Sequence, residues 1–206
     1  PTLCVAAPRD GARLRETLRE SADINDRPSL IRFPKGAINA DIPAFERRDG
    51  IDVLYRGESA DILLVSVGAM ATIAVEAAAQ AYREGVGVTV IDPRWVKPLP
   101  QSLVTMAQRY SAVVVIEDGI KHGGIASTIS EMFSEAGLSI PVHSIGIPLQ
   151  FLDHAKRSDI LNELGISAQS VARSLVTWSS RKSDAPDGAL GTKPARQRPA
   201  DENASQ

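Results

Sequence analysis

The sequence predicts an α/β fold: a mostly parallel sheet covered on both faces by helices, in three α/β/α layers, preceded by a strand–helix–strand piece of another α/β unit. Three observations predict it. Apolar, largely β-branched runs recur at residues 61–67, 88–91 and 112–116, the composition of strands covered on both faces. Segments with apolar residues at helical spacing separate them. The connections are short and marked by Gly and Pro, which is the βαβ rhythm of a parallel sheet.

Residues 3–7, Leu-Cys-Val-Ala-Ala, form a first short strand closed by Pro8. Asp10 then caps a helix in which Leu14, Leu18 and Ala22 share a face. Asn25-Asp26-Arg27-Pro28 breaks that helix, and residues 29–33 form a second strand ended by Pro34-Lys35-Gly36. This piece, residues 1–36, is too short for a core of its own and is expected to be the end of an upstream domain. The chain begins at Pro1, inside what reads as a strand, which suggests part of something longer. Residues 37–49, with the cluster Glu46-Arg47-Arg48-Asp49, have no periodicity and are expected as a linker.

A second domain is expected over residues 50–178. Residues 51–55 and 61–67 read as strands about a Gly57-Glu58-Ser59 turn. Residues 70–84 are Ala-rich, with Met70, Ile73, Ala74, Ala77 and Ala81 on one face, a helix lying close on a sheet. Gly85 and Gly87 lead from it into the central strand at Val88, which Asp92-Pro93 stops. Residues 94–99 are expected as a rigid, irregular loop at the carboxyl end of that strand, where open α/β sheets place function. A helix over 101–110 with Leu103, Val104 and Ala107 inward, a strand over 112–116, a helix over 125–136 and a strand over 141–145 continue the alternation. Two helices capped by Ser158 and Ser167 close the domain. Residues 179–206 lack periodicity and are expected to be a disordered tail.

The composition excludes several functions. A formal net charge of −2 gives no basic surface for nucleic acid or an anionic membrane. No apolar run approaches the ~20 residues that span a bilayer. The single Cys4 leaves no internal disulfide and fits a reducing, cytoplasmic compartment. His122, His143 and His154 share no metal-ligand spacing, and Ser127, Ser130 and Ser134 have no acid or His at triad spacing.

Three places remain. Arg32 ends a strand beside a turn, where a guanidinium can fork onto a phosphate or carboxylate, or make an interdomain ion pair. Gly123-Gly124 opens a helix whose free N–H groups suit an anion, although such a pair also serves a tight turn. Arg94, Trp95 and Lys97 suit a partner or anion contact, or a latch onto the chain itself.

Together, Pro8-Arg9-Asp10, Pro28-Ser29-Leu30-Ile31-Arg32-Phe33-Pro34-Lys35-Gly36, Val90-Ile91-Asp92-Pro93-Arg94-Trp95-Val96-Lys97-Pro98-Leu99, Glu117-Asp118 with Gly123-Gly124, and Ile145-Gly146-Ile147-Pro148 resemble the C-terminal part of the 1-deoxy-D-xylulose-5-phosphate synthases, as does Ile160-Leu161-Asn162-Glu163-Leu164-Gly165. The resemblance covers about residues 1–178. It implies a parent enzyme, a homodimer, that condenses pyruvate with glyceraldehyde 3-phosphate on thiamine diphosphate and Mg²⁺, toward isoprenoid, thiamine and pyridoxal precursors. It implies that residues 1–36 end a pyrimidine-binding domain and that 50–178 form a transketolase-type C-terminal domain. Arg32 then matches the arginine that anchors the triose phosphate. The cofactor and catalytic groups are expected upstream of Pro1, so no catalytic, cofactor or metal residue is expected in this chain. Gly119 and Ala126 depart from the family pattern. A transketolase, the β part of a 2-oxo acid dehydrogenase, and a non-catalytic dimerisation or regulatory module remain as alternatives.

Overall fold

The computed structural model describes residues 2–38 and 40–180. It begins with β1 (Cys4–Ala6), α1 (Gly11–Ala22) and β2 (Ser29–Ile31), and β1 and β2 pair in parallel. α1 opens as expected: the Asp10 carboxylate accepts the Arg13 N–H at 2.7 Å, one of the donors a helix start leaves unpaired. Its buried face differs from the expected one. Gly11 and Thr17 are buried, whereas Leu18 is 53% exposed. Glu16 and Glu20 turn toward Arg47 and Arg94, so charge pairing orients this helix, with Leu18 outward and Leu14 half-buried.

Within the stretch 37–49, residues 46–48 form β3 (Glu46–Arg48), which pairs antiparallel with β4 (Ile51–Tyr55). The turn between them is Asp49-Gly50, with φ of 49° and 85°. Positive φ at both central residues is the two-residue hairpin turn that an Asp-Gly pair favours.

β5 (Ile62–Ser66), a 3₁₀ turn, α2 (Ala71–Arg83) and β6 (Val88–Asp92) make a right-to-expectation βαβ unit, with β5 and β6 parallel. Small Ala71, Ala74, Ala77, Ala78 and Ala81 let α2 lie flat on the sheet. The following segment is more regular than expected. Pro93 is followed by Arg94 in the left-handed region (φ 61°), which turns the chain into β7 (Trp95–Lys97). β7 pairs antiparallel with β1, Ala6 opposite Trp95. A strand that follows β6 of the large sheet therefore completes the three-stranded sheet β2-β1-β7.

α3 (Ser102–Ala107), β8 (Ala112–Ile120), α4 (Ile125–Glu135), β9 (Val142–Ile147), α5 (Arg157–Glu163) and α6 (Ala168–Ser180) follow. The large sheet has the order β3-β4-β6-β5-β8-β9, parallel from β6 to β9 and antiparallel at β3 and β4. β8 runs past the expected end at 116 and carries Glu117 and Asp118 within it. Ser167 caps α6 by accepting the Ser170 N–H at 3.3 Å. Ser158 does not cap α5, which starts at Arg157 with Lys156 in the cap position; the Ser158 hydroxyl bonds Asp159 instead.

Two apolar cores flank this sheet. Leu64, Val90 and Val114 face α2, α5 and α6, with Leu161 and Leu175 fully inward. Leu63, Val65 and Val113 face α3 and α4, with Leu103 and Phe133. Each such leucine contributes about 2 kcal/mol relative to exposure. Residues 179 and 180 belong to α6; the rest of the expected tail lies outside the described residues. No described helix is long and apolar enough to cross a membrane.

Candidate functional site

The turn after β1, the start of β4 and the end of β6 are tied together by a buried arginine. Arg9 has no exposed side-chain surface, and its Nη1 donates to Asp52 Oδ2 at 2.6 Å and to Asp92 Oδ2 at 2.7 Å, while Nε donates to the Ile42 carbonyl at 3.0 Å. Two buried carboxylates thus share one guanidinium. They are not equivalent. Burial pushes both up, but Asp52 also accepts from Arg47, and with Arg9 this holds it below the ordinary carboxylate range. Asp92 is fully enclosed with Arg9 as its only cation, and burial lifts it to about 6. Its other oxygen accepts the Arg94 N–H at 2.8 Å.

The Arg94–Trp95 pair, for which the rigid loop and scarce aromatics favour a partner interface in the sequence, is instead a latch onto the chain itself. Trp95 Nε1 donates to Glu20 Oε2 at 2.8 Å, and Arg94 pairs with the other oxygen of Glu20. The aromatic anchor is fastened to α1 of its own chain. Lys97 on the same strand is exposed.

Beside this clamp, the turn after β1 and the segment after β2 enclose a cleft of about 380 Å³. Its walls are mostly apolar, with Pro8, Leu14, Phe33 and Ile38, and its polar lining is Arg9, Asp10 and Lys35. Arg9 is spent in the clamp, and Asp10 accepts the Arg13 and Ile42 N–H groups. Lys35 is therefore the cation of this lining without an ion pair among the described residues. A mostly apolar cleft with one convergent cation at strand ends fits a small anionic ligand.

Arg32 follows β2, one residue before Phe33 of this lining; it is not itself a lining residue and turns to the other sheet. Its Nη1 donates to Asp118 Oδ1 at 2.5 Å and its Nη2 to the Asp118 carbonyl at 3.1 Å, across from one sheet to the other. The guanidinium is 48% exposed, whereas the Asp118 side chain is 7% exposed. Arg157, at the start of α5, donates to Asp118 Oδ2 at 2.9 Å. Burial raises Asp118, but the bonds from Arg32 and Arg157 outweigh it and hold this carboxyl below its usual range.

The glycine pair does not present an open anion site. Glu117, 5% exposed, lies against the start of α4, where the amides of Ala126 and Ile125 partly offset the upward push of burial. A Cβ on Gly124 would lie 2.3 Å from Glu117 Oε1, and one on Gly119 3.0 Å from Oε2. The chain supplies its own carboxylate there, and both glycines make room for it. His122 is exposed, His154 is exposed, and His143 stacks on Trp178 with centroids 4.4 Å apart. No group of three or more metal-ligating side chains occurs among the described residues.

Sequence reading missed the clamp, Asp118, Arg157 and Lys35. One signal was present: Asp52 interrupts an otherwise apolar strand, and a carboxylate there requires a buried cation.

Residues 52–171 match the family model described as the transketolase C-terminal domain. The chain is 47% identical over 181 residues to a 1-deoxy-D-xylulose-5-phosphate synthase of Mycobacteroides abscessus, and 49% identical over 181 residues to one of Rhodococcus erythropolis. Each alignment takes in 86% of this chain and 28% of the relative, so the chain spans under a third of their length. A solved structure described as a split-gene transketolase, inactive β4 tetramer, superposes with a TM-score of 0.77 at 27% identity, over 87% of this chain and 59% of that one.

Proposed function

Because the chain belongs to the transketolase C-terminal domain family, we propose that it serves as the C-terminal part of a 1-deoxy-D-xylulose-5-phosphate synthase, joining pyruvate and glyceraldehyde 3-phosphate with loss of carbon dioxide. The observation that supports this reading is the half-exposed Arg32 after β2, held on Asp118, followed on the same segment by Lys35 in the cleft lining. These are cations placed for a phosphorylated acceptor. An arginine fork suits a phosphate dianion and contributes by positioning the acceptor, not by bond chemistry.

The synthase reaction implies thiamine diphosphate and Mg²⁺. The described residues do not fit them: no metal-ligating cluster is present, and the glycine-rich start of α4 is filled by Glu117. We therefore assign the cofactor to segments of the parent enzyme other than those described, and propose that residues 50–178 support its dimerisation. The cytoplasm is the compartment this reading implies. A second reading, a self-associating non-catalytic module, is favoured by the structural neighbour described as an inactive tetramer. Light scattering on the purified chain, with phosphate titrated in, separates the two. A tetramer indifferent to phosphate supports the module.

The substrate reading is tested in a hybrid in which residues 2–180 replace the matching segment of the Mycobacteroides abscessus relative. Arg32→Gln in that hybrid is expected to raise KM for glyceraldehyde 3-phosphate about tenfold or more, the worth of a charge-assisted fork. KM for pyruvate should stay within twofold. An unchanged KM for the triose phosphate contradicts the role given to Arg32.

A further inference from the structure

We propose that Arg157 is a second anion-binding residue, forming with Arg32 a two-guanidinium site, spaced by Asp118, for the phosphate group of the acceptor. This deepens the reading of Arg32 above and rests on it.

The argument begins with charge. Arg32 and Asp118 alone make a neutral pair, bonded at 2.5 and 3.1 Å, with little net attraction for a dianion. Asp118 stays ionised at neutral pH, since the two arginines hold its carboxyl low. Arg157 adds a second cation, so that Arg32, Asp118 and Arg157 together carry one positive charge; the neighbouring Glu117 carboxyl is pushed up by burial. Without it, Asp118 cancels Arg32.

Geometry agrees with the charge count. Asp118 divides its oxygens, Oδ1 to Arg32 and Oδ2 to Arg157, so both guanidiniums are held on one carboxyl group. Arg32 spends its Nη atoms on Asp118 and Arg157 spends Nη2 alone, which leaves most of the five N–H donors of each group. The guanidiniums are 48% and 43% exposed, while the carboxylate between them is 7% exposed. A buried carboxylate that aims two solvent-facing forks lowers the rotamer entropy lost when an anion bridges them. The location fits as well. Asp118 lies on the last turn of residues of β8, near the carboxyl end of the parallel sheet, where open α/β folds receive ligands.

The alternative role for Arg157 is a strap that fastens α5 to β8. A strap and a ligand contact differ in what they move. The test is calorimetric titration of the full 206-residue chain at low salt with inorganic phosphate and, separately, with sn-glycerol 3-phosphate, with melting temperatures recorded alongside. Both Arg32→Gln and Arg157→Gln are expected to weaken binding tenfold or more with little change in melting temperature. Arg157→Lys, which keeps the charge but not the fork, should fall between Arg157→Gln and the unmodified chain. Tighter binding of the glycerol ester than of inorganic phosphate identifies a phosphorylated substrate; equal binding identifies a site for the phosphate group alone, which still supports the two-arginine assignment. If Arg32→Gln weakens binding and Arg157→Gln does not, the inference is overturned and the Arg32 reading stands. If Arg157→Gln lowers only the melting temperature, Arg157 is a strap and the inference is likewise overturned. Absence of binding by the unmodified chain overturns both.

Discussion

Replacing Arg9 with methionine is expected to lower the unfolding free energy by about 3–5 kcal/mol, the usual cost of removing one partner from a buried ion cluster. Arg9 is enclosed, and Asp52 and Asp92 lie within 2.6 and 2.7 Å of one of its nitrogens, both themselves enclosed. Methionine fills similar volume, so the loss is electrostatic: two carboxylates remain in the interior, and only Asp52 has another cation. Domains of this size have about 5–15 kcal/mol in total, so much of the margin goes. The same residue joins the three-stranded sheet to the six-stranded one, so the two should also part more readily. Urea unfolding followed by circular dichroism reads the change in midpoint. Adding Asp92→Asn to Arg9→Met should recover part of the loss, because it removes the carboxylate left without a cation. A loss below about 1 kcal/mol for Arg9→Met, on the scale of an exposed pair, contradicts the clamp.

Asp92 gives the second large effect, through pH. Its folded value is lifted to about 6, above the ordinary 3.8. The folded state therefore binds a proton more tightly than the unfolded one, and stability falls as pH rises through the window from about 4 to about 6. A displacement of this size corresponds to about 3 kcal/mol. Asp52 and Asp118 run the other way: held low, they stabilise the fold above their unfolded values and withdraw that support as pH falls through their folded values. The Asp92 slope is thus cleanest from pH 4.5 to 6.5. Urea midpoints there should decline with pH for the unmodified chain and decline less for Asp92→Asn, whose remaining slope comes from Glu117, also pushed up by burial. Parallel profiles for the two would show that Asp92 is ionised throughout.

Much of the large sheet was legible in the sequence because both of its faces are covered. Residues 62–66, 88–92 and 112–116 must be apolar on both sides, and that leaves a continuous β-branched run. Helix α2 was legible for a related reason: close approach to the sheet demands alanine at each inward position. What escaped detection was held by charge. α1 is docked through Glu16 and Glu20, so its apolar spacing pointed to the wrong face. β7 is three residues long and its pairing partner β1 is far away in sequence, near the N-terminus, which local pattern cannot register. β3 was masked by Glu46, Arg47 and Arg48, although the Asp-Gly turn after it announces a hairpin. Arg32 was singled out from its place at a strand end. Its partner Asp118 and the second arginine at 157 were not, because only folding brings these three together.

The most direct measurement of the account compares two samples under one assay with thiamine diphosphate, Mg²⁺, pyruvate and glyceraldehyde 3-phosphate. One is the purified chain, and the other is the hybrid synthase carrying residues 2–180 as its C-terminal segment. The account predicts 1-deoxy-D-xylulose 5-phosphate and carbon dioxide from the hybrid and neither from the chain alone. Turnover by the isolated chain, or a folded hybrid without turnover, would contradict it.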